Sequence, residues 1–290
     1  MKVGIRTTGT IQKMPFDQVC AWLGLNGFDT IDVGRATPEM VSTAAQHGVA
    51  IGQVDLNAGQ DLLSDDPTTQ KAAIDAANQS IQNAVDNGVY NLFYVAPAPA
   101  DPSQGRAASL EQWKRTMPAI CNYAESVGAV IALEGWPGGS NHYERIGATP
   151  ELLRAMFDAC PHEAFGINFD PSHLIRLGVD YLRFLVEFGH RTKHVHAKDT
   201  VFDQEALYLH GRMTPSLTSS VGFGENWWRY CIPGEGEADW ARIIKMLEGF
   251  GFDGILSVEH EDARYWGDGE WETQQVGFIR ARAHIKRYMN

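Results

Sequence analysis

The chain lacks several features that would place it in large and familiar protein classes. It has only 4 cysteines in 290 residues (Cys20, Cys121, Cys160 and Cys231), with no CxxC spacing. Cysteines scattered in this way exclude a disulfide framework and predict packed free thiols in a reducing compartment, the cytoplasm. No apolar run approaches the roughly 20 residues of a membrane-spanning helix, and the opening MKVGIRTTGT reads as a strand, not a secretory leader. Positive charge is also scarce. Lys and Arg total 24 against 36 Asp and Glu, a formal charge of −12, with no polybasic stretch. Such a surface repels a phosphate backbone, so neither nucleic acid nor a membrane is an expected partner. The first turn, RTTGTIQ, lacks the GxGxxG of a dinucleotide-binding crossover.

What is present is a rhythm. Short apolar or β-branched runs at 2–5, 30–34, 50–56, 91–96, 129–135, 165–170, 193–199 and 254–261 alternate with helical patterns. TPEMVSTAAQHG starts on a Thr37 cap with Pro38 in its first turn and closes on Gly48. TPELLRAMFDAC repeats that opening at Thr149. Alternating β and α units predict parallel strands joined by right-handed crossovers. Eight of them in 290 residues fit a single α/β domain over 1–290, a (β/α)8 barrel, better than a doubly wound sheet. One connection is out of scale: about 40 residues separate Asp199 from Asp239, where a few are usual. This loop at about 200–238, after strand seven, carries Trp227, Trp228 and Tyr230. It reads either as a packed excursion or dimer contact, or as a wall over the site.

Barrel chemistry sits where strands end in the C-terminal direction. The fifth run ends on Glu134, the sixth on Asp170, the seventh on His194, His196, Lys198 and Asp199, and the eighth on Glu259. Side chains alternate along a strand. Glu134 therefore shares a face with Ala132, Asp170 with Asn168, His196 with His194, and Glu259 with Ser257, while Ile131, Leu133, Ile167, Phe169, Val195, Leu256 and Val258 occupy the other face. The apolar face must meet the helices, so the acids and histidines point into the mouth. Carboxylates crowded there repel one another unless a cation compensates them. Oxygen-rich ligands with an imidazole favour one divalent ion, Mn²⁺ or Mg²⁺, with Co²⁺ or Zn²⁺ as alternatives. A lone acid before a helix, such as Asp170, is also readable as a cap.

Taken in order, IALEGW, FDPSHL, HVHAKDT, GEGEADW and SVEHE resemble the xylose isomerase-like TIM-barrel superfamily of sugar isomerases, epimerases, inosose dehydratases and endonuclease IV. The resemblance implies Glu134, Asp170, His196 and Glu259 as metal ligands, His173 as a contact to a substrate hydroxyl, and His194 as support for His196. It further implies that Glu134 and Glu259 work as acid and base on a carbon beside a carbonyl whose enediolate the metal stabilises. The sequence departs from the ketose 3-epimerases, with Ser140 where they have a second glutamate and Phe202 where they have an arginine. WWRYCIP lacks the Asp and His ligands of the endonuclease branch.

Three further residues are candidates. His142, in the loop GWPGGSNHYERIG, is either a surface residue or a general base suited to β-elimination. Lys198 faces inward above His196 and either binds an oxyanion or phosphate or pairs with an acid. Trp136 could stack on a sugar face, as could Trp227 and Trp228, or be packed. The expected activity is that of a metal-dependent isomerase or epimerase of a small sugar, keto-sugar or cyclitol. A lyase or dehydratase using the same centre is the alternative, and a non-catalytic sugar-binding barrel is the third reading. A homodimer is compatible with all three.

Overall fold

The computed structural model describes residues 1–101, 103–139, 143–220, 222–266 and 270–289. Its strands are β1 (Lys2–Arg6), β2 (Thr30–Val33), β3 (Ala50–Asp55), β4 (Asn91–Val95), β5 (Val130–Glu134), β6 (Phe165–Phe169), β7 (Thr192–Ala197), β8 (Asp199–Phe202), β9 (Trp228–Cys231) and β10 (Ile255–Val258). Eight of these close into a barrel in the order β1-β10-β7-β6-β5-β4-β3-β2, every neighbouring pair parallel. The fold is therefore the expected (β/α)8 barrel, and its strands lie on the runs read from the sequence.

Helices cover the outside. Ile131, Leu133, Ile167, Phe169, Val195, Leu256 and Val258, the face assigned to them, are all buried. Thr37 caps the helix Pro38–Gln46 by accepting from the Met40 amide at 3.2 Å. The same Thr-Pro-Glu opening behaves differently at Thr149, whose hydroxyl is buried without a hydrogen bond. The motif sets the start of that helix but not the rotamer. All four cysteines are buried and free. Among the described residues, no helix is long and apolar enough to cross a membrane.

Register decides what reaches the mouth. Paired residues of neighbouring parallel strands face the same way. Glu134 pairs with Asn168, Asn168 with His194, and Ser257 with His196, so these side chains share the interior. Between β6 and β7 the register shifts: Ile167 pairs with Thr192 but Asn168 with His194. The extra residue, Lys193, inverts the parity of β7 and turns His194 and His196 inward beside Asn168. Room for these groups comes from small residues such as Gly4, where a Cβ would lie 2.0 Å from Thr30 Oγ1.

The 200–238 stretch is partly ordered as a hairpin. β8 pairs with β9 antiparallel, Thr200 against Tyr230 and Phe202 against Trp228. Thr200 Oγ1 donates to the Ser172 carbonyl at 2.9 Å, which ties the hairpin to the helix Pro171–Leu177. Trp227 stacks on Phe202 with ring centroids 5.9 Å apart. Trp228 and Tyr230 turn towards the barrel mouth.

Candidate active site

The opening of the sixth helical segment explains how one residue serves two purposes. Asp170 follows β6 and is the N-cap of Pro171–Leu177, with proline in the first turn and Gly178 (φ 73°) at the left-handed C-cap. Its Oδ1 accepts from the Ser172 amide at 2.8 Å. Its Oδ2 is buried and points into the mouth, 3.3 Å from both His173 Nε2 and Lys198 Nζ. The cap reading of this pre-helical aspartate therefore holds for Oδ1, and Oδ2 remains available to the cluster.

Around Oδ2 the structure gathers side chains from four strand ends. One ligand-competent atom from each of Glu134, Asp170, His196 and Glu259 lies within 4.8 Å of the other three, and all four residues are buried. His196 Nδ1 is 2.6 Å from Glu134 Oε1 and 3.3 Å from Glu259 Oε2. His173 Nε2 is 3.4 Å from Glu134 Oε2 and 3.3 Å from Asp170 Oδ2. Asn168 Nδ2 donates to Glu134 Oε1 at 2.9 Å. Lys198 pairs with acids, as one of its two readings required: its Nζ is 2.6 Å from Glu259 Oε2, 3.1 Å from Glu261 Oε2 and 3.3 Å from Asp170 Oδ2.

These contacts set the charges. Burial would raise the Glu134 and Glu259 carboxyls, but His196 and His173 beside the first, and Lys198 and His196 beside the second, hold both below the ordinary range. Burial would lower His196, but Glu259 and Glu134 push it up to about 10. Lys198 is likewise raised against its own burial by Glu259, Glu261 and Asp170. Deeper in the barrel, His194 Nε2 lies 2.8 Å from Asp32 Oδ2 and 3.2 Å from Ser257 Oγ, and the His194 ring meets His196 edge-on at 5.8 Å.

The donor set suits a hard divalent cation. Three carboxylates and one imidazole converge in a buried cluster whose charges meet mainly one another, and His196 Nε2 is buried without a hydrogen-bond partner. Convergent atoms of this kind are costly unless something coordinates them.

Above the cluster is a cavity of about 530 Å³, within the usual range for small-molecule sites. Trp136, Phe93, Trp228 and Tyr230 line it, as do His173 and Lys198. Trp227 does not; it is buried against Phe202 and Trp228. His142 lies outside the described residues. Sequence reasoning overlooked Glu261, Arg176 and the role of Tyr230. Glu261 continues the inward alternation after Glu259, and Arg176 follows His173 by one helical turn, so both were within reach of periodicity. Tyr230 was not, since its position depends on the β8–β9 pairing.

The fold and its polar centre define a (β/α)8-barrel protein organised around a buried carboxylate–imidazole cluster. The chain belongs to the xylose isomerase-like TIM-barrel family, whose description it matches over residues 18–282. It is 27% identical to an inosose dehydratase of Clostridium perfringens over 181 residues, 62% of this chain and 56% of that one. The chain thus spans about half the length of the curated relatives it matches. In structure it resembles mannonate dehydratase of Streptococcus suis serotype 2 (TM-score 0.71, 15% identity, 99% of this chain and 95% of that one). It is equally similar to D-psicose 3-epimerase of Clostridium cellulolyticum H10 (TM-score 0.71, 15% identity, 100% of both chains).

Proposed function

We propose that this protein is a divalent-metal-dependent isomerase or epimerase that moves a proton beside the carbonyl of a small sugar, keto-sugar or cyclitol. The observation that carries this reading is the convergence of Glu134, Asp170, His196 and Glu259, two of which, Glu134 and Glu259, line a cavity of about 530 Å³. In it, these four residues hold the ion, with Mn²⁺ the first choice. When bound, the ion supplies Lewis acidity towards a carbonyl oxygen and its neighbouring hydroxyl.

The chain's own groups do the rest. Glu134 and Glu259 flank His196 and stay ionised, so either can accept a proton from a substrate carbon. Asn168 fixes Glu134 and Lys198 fixes Glu259. Tyr230 accepts a hydrogen bond from Arg176 at 3.2 Å, which leaves its own proton for His173 Nδ1 at 2.7 Å. His173 then carries its proton on Nε2, aimed at the carboxylates and at any substrate hydroxyl between them. Trp136, Phe93 and Trp228 offer apolar faces to the sugar.

A lyase is the second reading, favoured by the dehydratase relative in sequence and by the Lys198–Glu259 pair. Here the same carboxylate removes the proton, a C=C bond forms, and Lys198 protonates the departing β-hydroxyl, which leaves as water. His142, outside the described residues, is the alternative base of this branch in place of the carboxylate. Incubation of the Mn²⁺-supplemented protein with keto-sugars and inososes in D₂O separates the two. An isomer carrying deuterium at the reacting carbon supports the first, and an unsaturated product the second. Full activity in protein stripped of metal would rule out both.

A further inference from the structure

Arg176 is buried on the wall of the cavity and, among the described residues, forms no ion pair. It is 4% exposed, lies one helical turn after His173, and lines the cavity. Its guanidinium carbon sits 4.2 Å from the Trp228 ring centroid and 5.2 Å from that of Tyr143. One nitrogen donates to the Tyr230 hydroxyl at 3.2 Å, and Nε is buried with no hydrogen-bond partner. Among the described residues, no carboxylate lies within 4.0 Å of it. The other buried cations of this region do have such partners: Lys198 has Glu259 and Glu261, and Arg6 has Asp55 at 2.6 Å. A second guanidinium, Arg145, lines the same cavity, stacks on Trp136 at 4.7 Å, and also has a buried Nε without a partner.

Taking a guanidinium out of water is costly unless it is paired. Aromatic faces offset only part of that cost. Arg176 has five N–H donors in a planar fork suited to a carboxylate or phosphate, and its one hydrogen bond among the described residues goes to a neutral hydroxyl. It is also placed at a useful distance. Asp170 Oδ2 touches His173 Nε2 at 3.3 Å, His173 Nδ1 touches the Tyr230 hydroxyl at 2.7 Å, and that hydroxyl touches Arg176 at 3.2 Å. A single imidazole and a single hydroxyl separate the guanidinium from the carboxylate cluster, and both ends line or adjoin the one cavity.

We infer that the substrate carries an anionic group, a carboxylate or a phosphate monoester, at the end away from its reacting carbons, and that Arg176 binds it. This rests on the functional reading above in placing the reacting carbons at the carboxylate cluster. Neutral free sugars would leave Arg176 uncompensated.

The test is calorimetric titration of the Mn²⁺-loaded protein with D-glucitol, D-gluconate and D-glucitol 6-phosphate, which differ in charge on one carbon skeleton. At least one charged probe should bind tenfold or more tightly than glucitol. Tighter gluconate identifies a sugar acid, and tighter glucitol phosphate a phosphorylated sugar. Arg176→Gln should remove the preference, lowering the affinity for the charged probe by tenfold or more relative to that for glucitol. Arg176→Lys, which keeps the charge and the stacking, should retain part of it and serves if the first variant does not fold. Charged and neutral probes binding alike, including not at all, would overturn the inference. So would a charge preference that survives Arg176→Gln while only the melting temperature falls, because Arg176 would then be a strut for Tyr230. A charge preference in a protein that turns over no sugar would support the inference and count against the enzyme reading.

Discussion

Tyr230 reaches His173 across the mouth of the barrel: its hydroxyl lies 2.7 Å from His173 Nδ1, and the two rings meet edge-on at 5.4 Å. This contact joins the hairpin outside the barrel to the polar centre inside it. Tyr230 stays protonated because burial raises its hydroxyl, with Lys198 and Arg176 opposing only in part. Tyr230→Phe keeps the ring and removes the hydroxyl, leaving His173 free to turn. Steady-state kinetics on the substrate found in the D₂O screen should show a drop in kcat/KM of about tenfold or more, as expected when a positioning hydrogen bond worth roughly 1.5 kcal/mol is lost.

Asp170 permits a separation of fold from metal binding. Asp170→Asn retains an oxygen for the Ser172 amide but loses the charge directed at the cluster. Metal analysis of the purified protein should give about one divalent ion per chain for the wild type and a large deficit for the variant, whose melting temperature should barely change. Asp170→Ala should lose the ion and, with the cap gone, about 1 kcal/mol of stability as well.

Glu259→Gln removes a proposed base and one partner of the buried Lys198 ammonium. Turnover should fall by about 10²–10⁴-fold. If the isomerase reading is right, deuterium incorporation should fall in parallel; a variant that exchanges at the wild-type rate would remove Glu259 from the proton path.

Acid sensitivity should trace to His260. Its ring is buried against Trp266 and Phe278, with centroids 5.8 and 5.1 Å away, and burial, opposed by Asp262, lowers it to about 4 from the ordinary 6.5. Between these values the unfolded chain binds a proton that the folded chain refuses. The stability is therefore full above pH 6.5 and is lost as the pH falls towards 4, by about 3 kcal/mol in all. Urea unfolding at pH 7 and pH 4.5 should show a smaller difference for His260→Gln than for the wild type.

Much of the architecture is legible in one dimension because its causes are local. Apolar runs, glycine stops and the Thr37-Pro38 opening mark strands and helices. Alternation along FGINFD or KHVHA assigns faces, since a strand's period of two follows from backbone geometry alone. Residue identity also confines charge, because Glu134, Asp170, His196 and Glu259 each follow or end an apolar run.

Convergence is not local. That atoms from positions 134, 170, 196 and 259 lie within 4.8 Å of one another depends on barrel closure, on strand order and on the shifted register at Lys193. Whether Lys198 meets an acid, which oxygen of Asp170 caps the helix, and that Arg176 meets no carboxylate among the described residues depend on side chains distant in the chain. So does the placing of Trp228 on the cavity wall while Trp227 stacks on Phe202. Periodicity carries the direction of a side chain relative to its own backbone; the partner it finds there is set by packing between segments, on which the local sequence places no constraint.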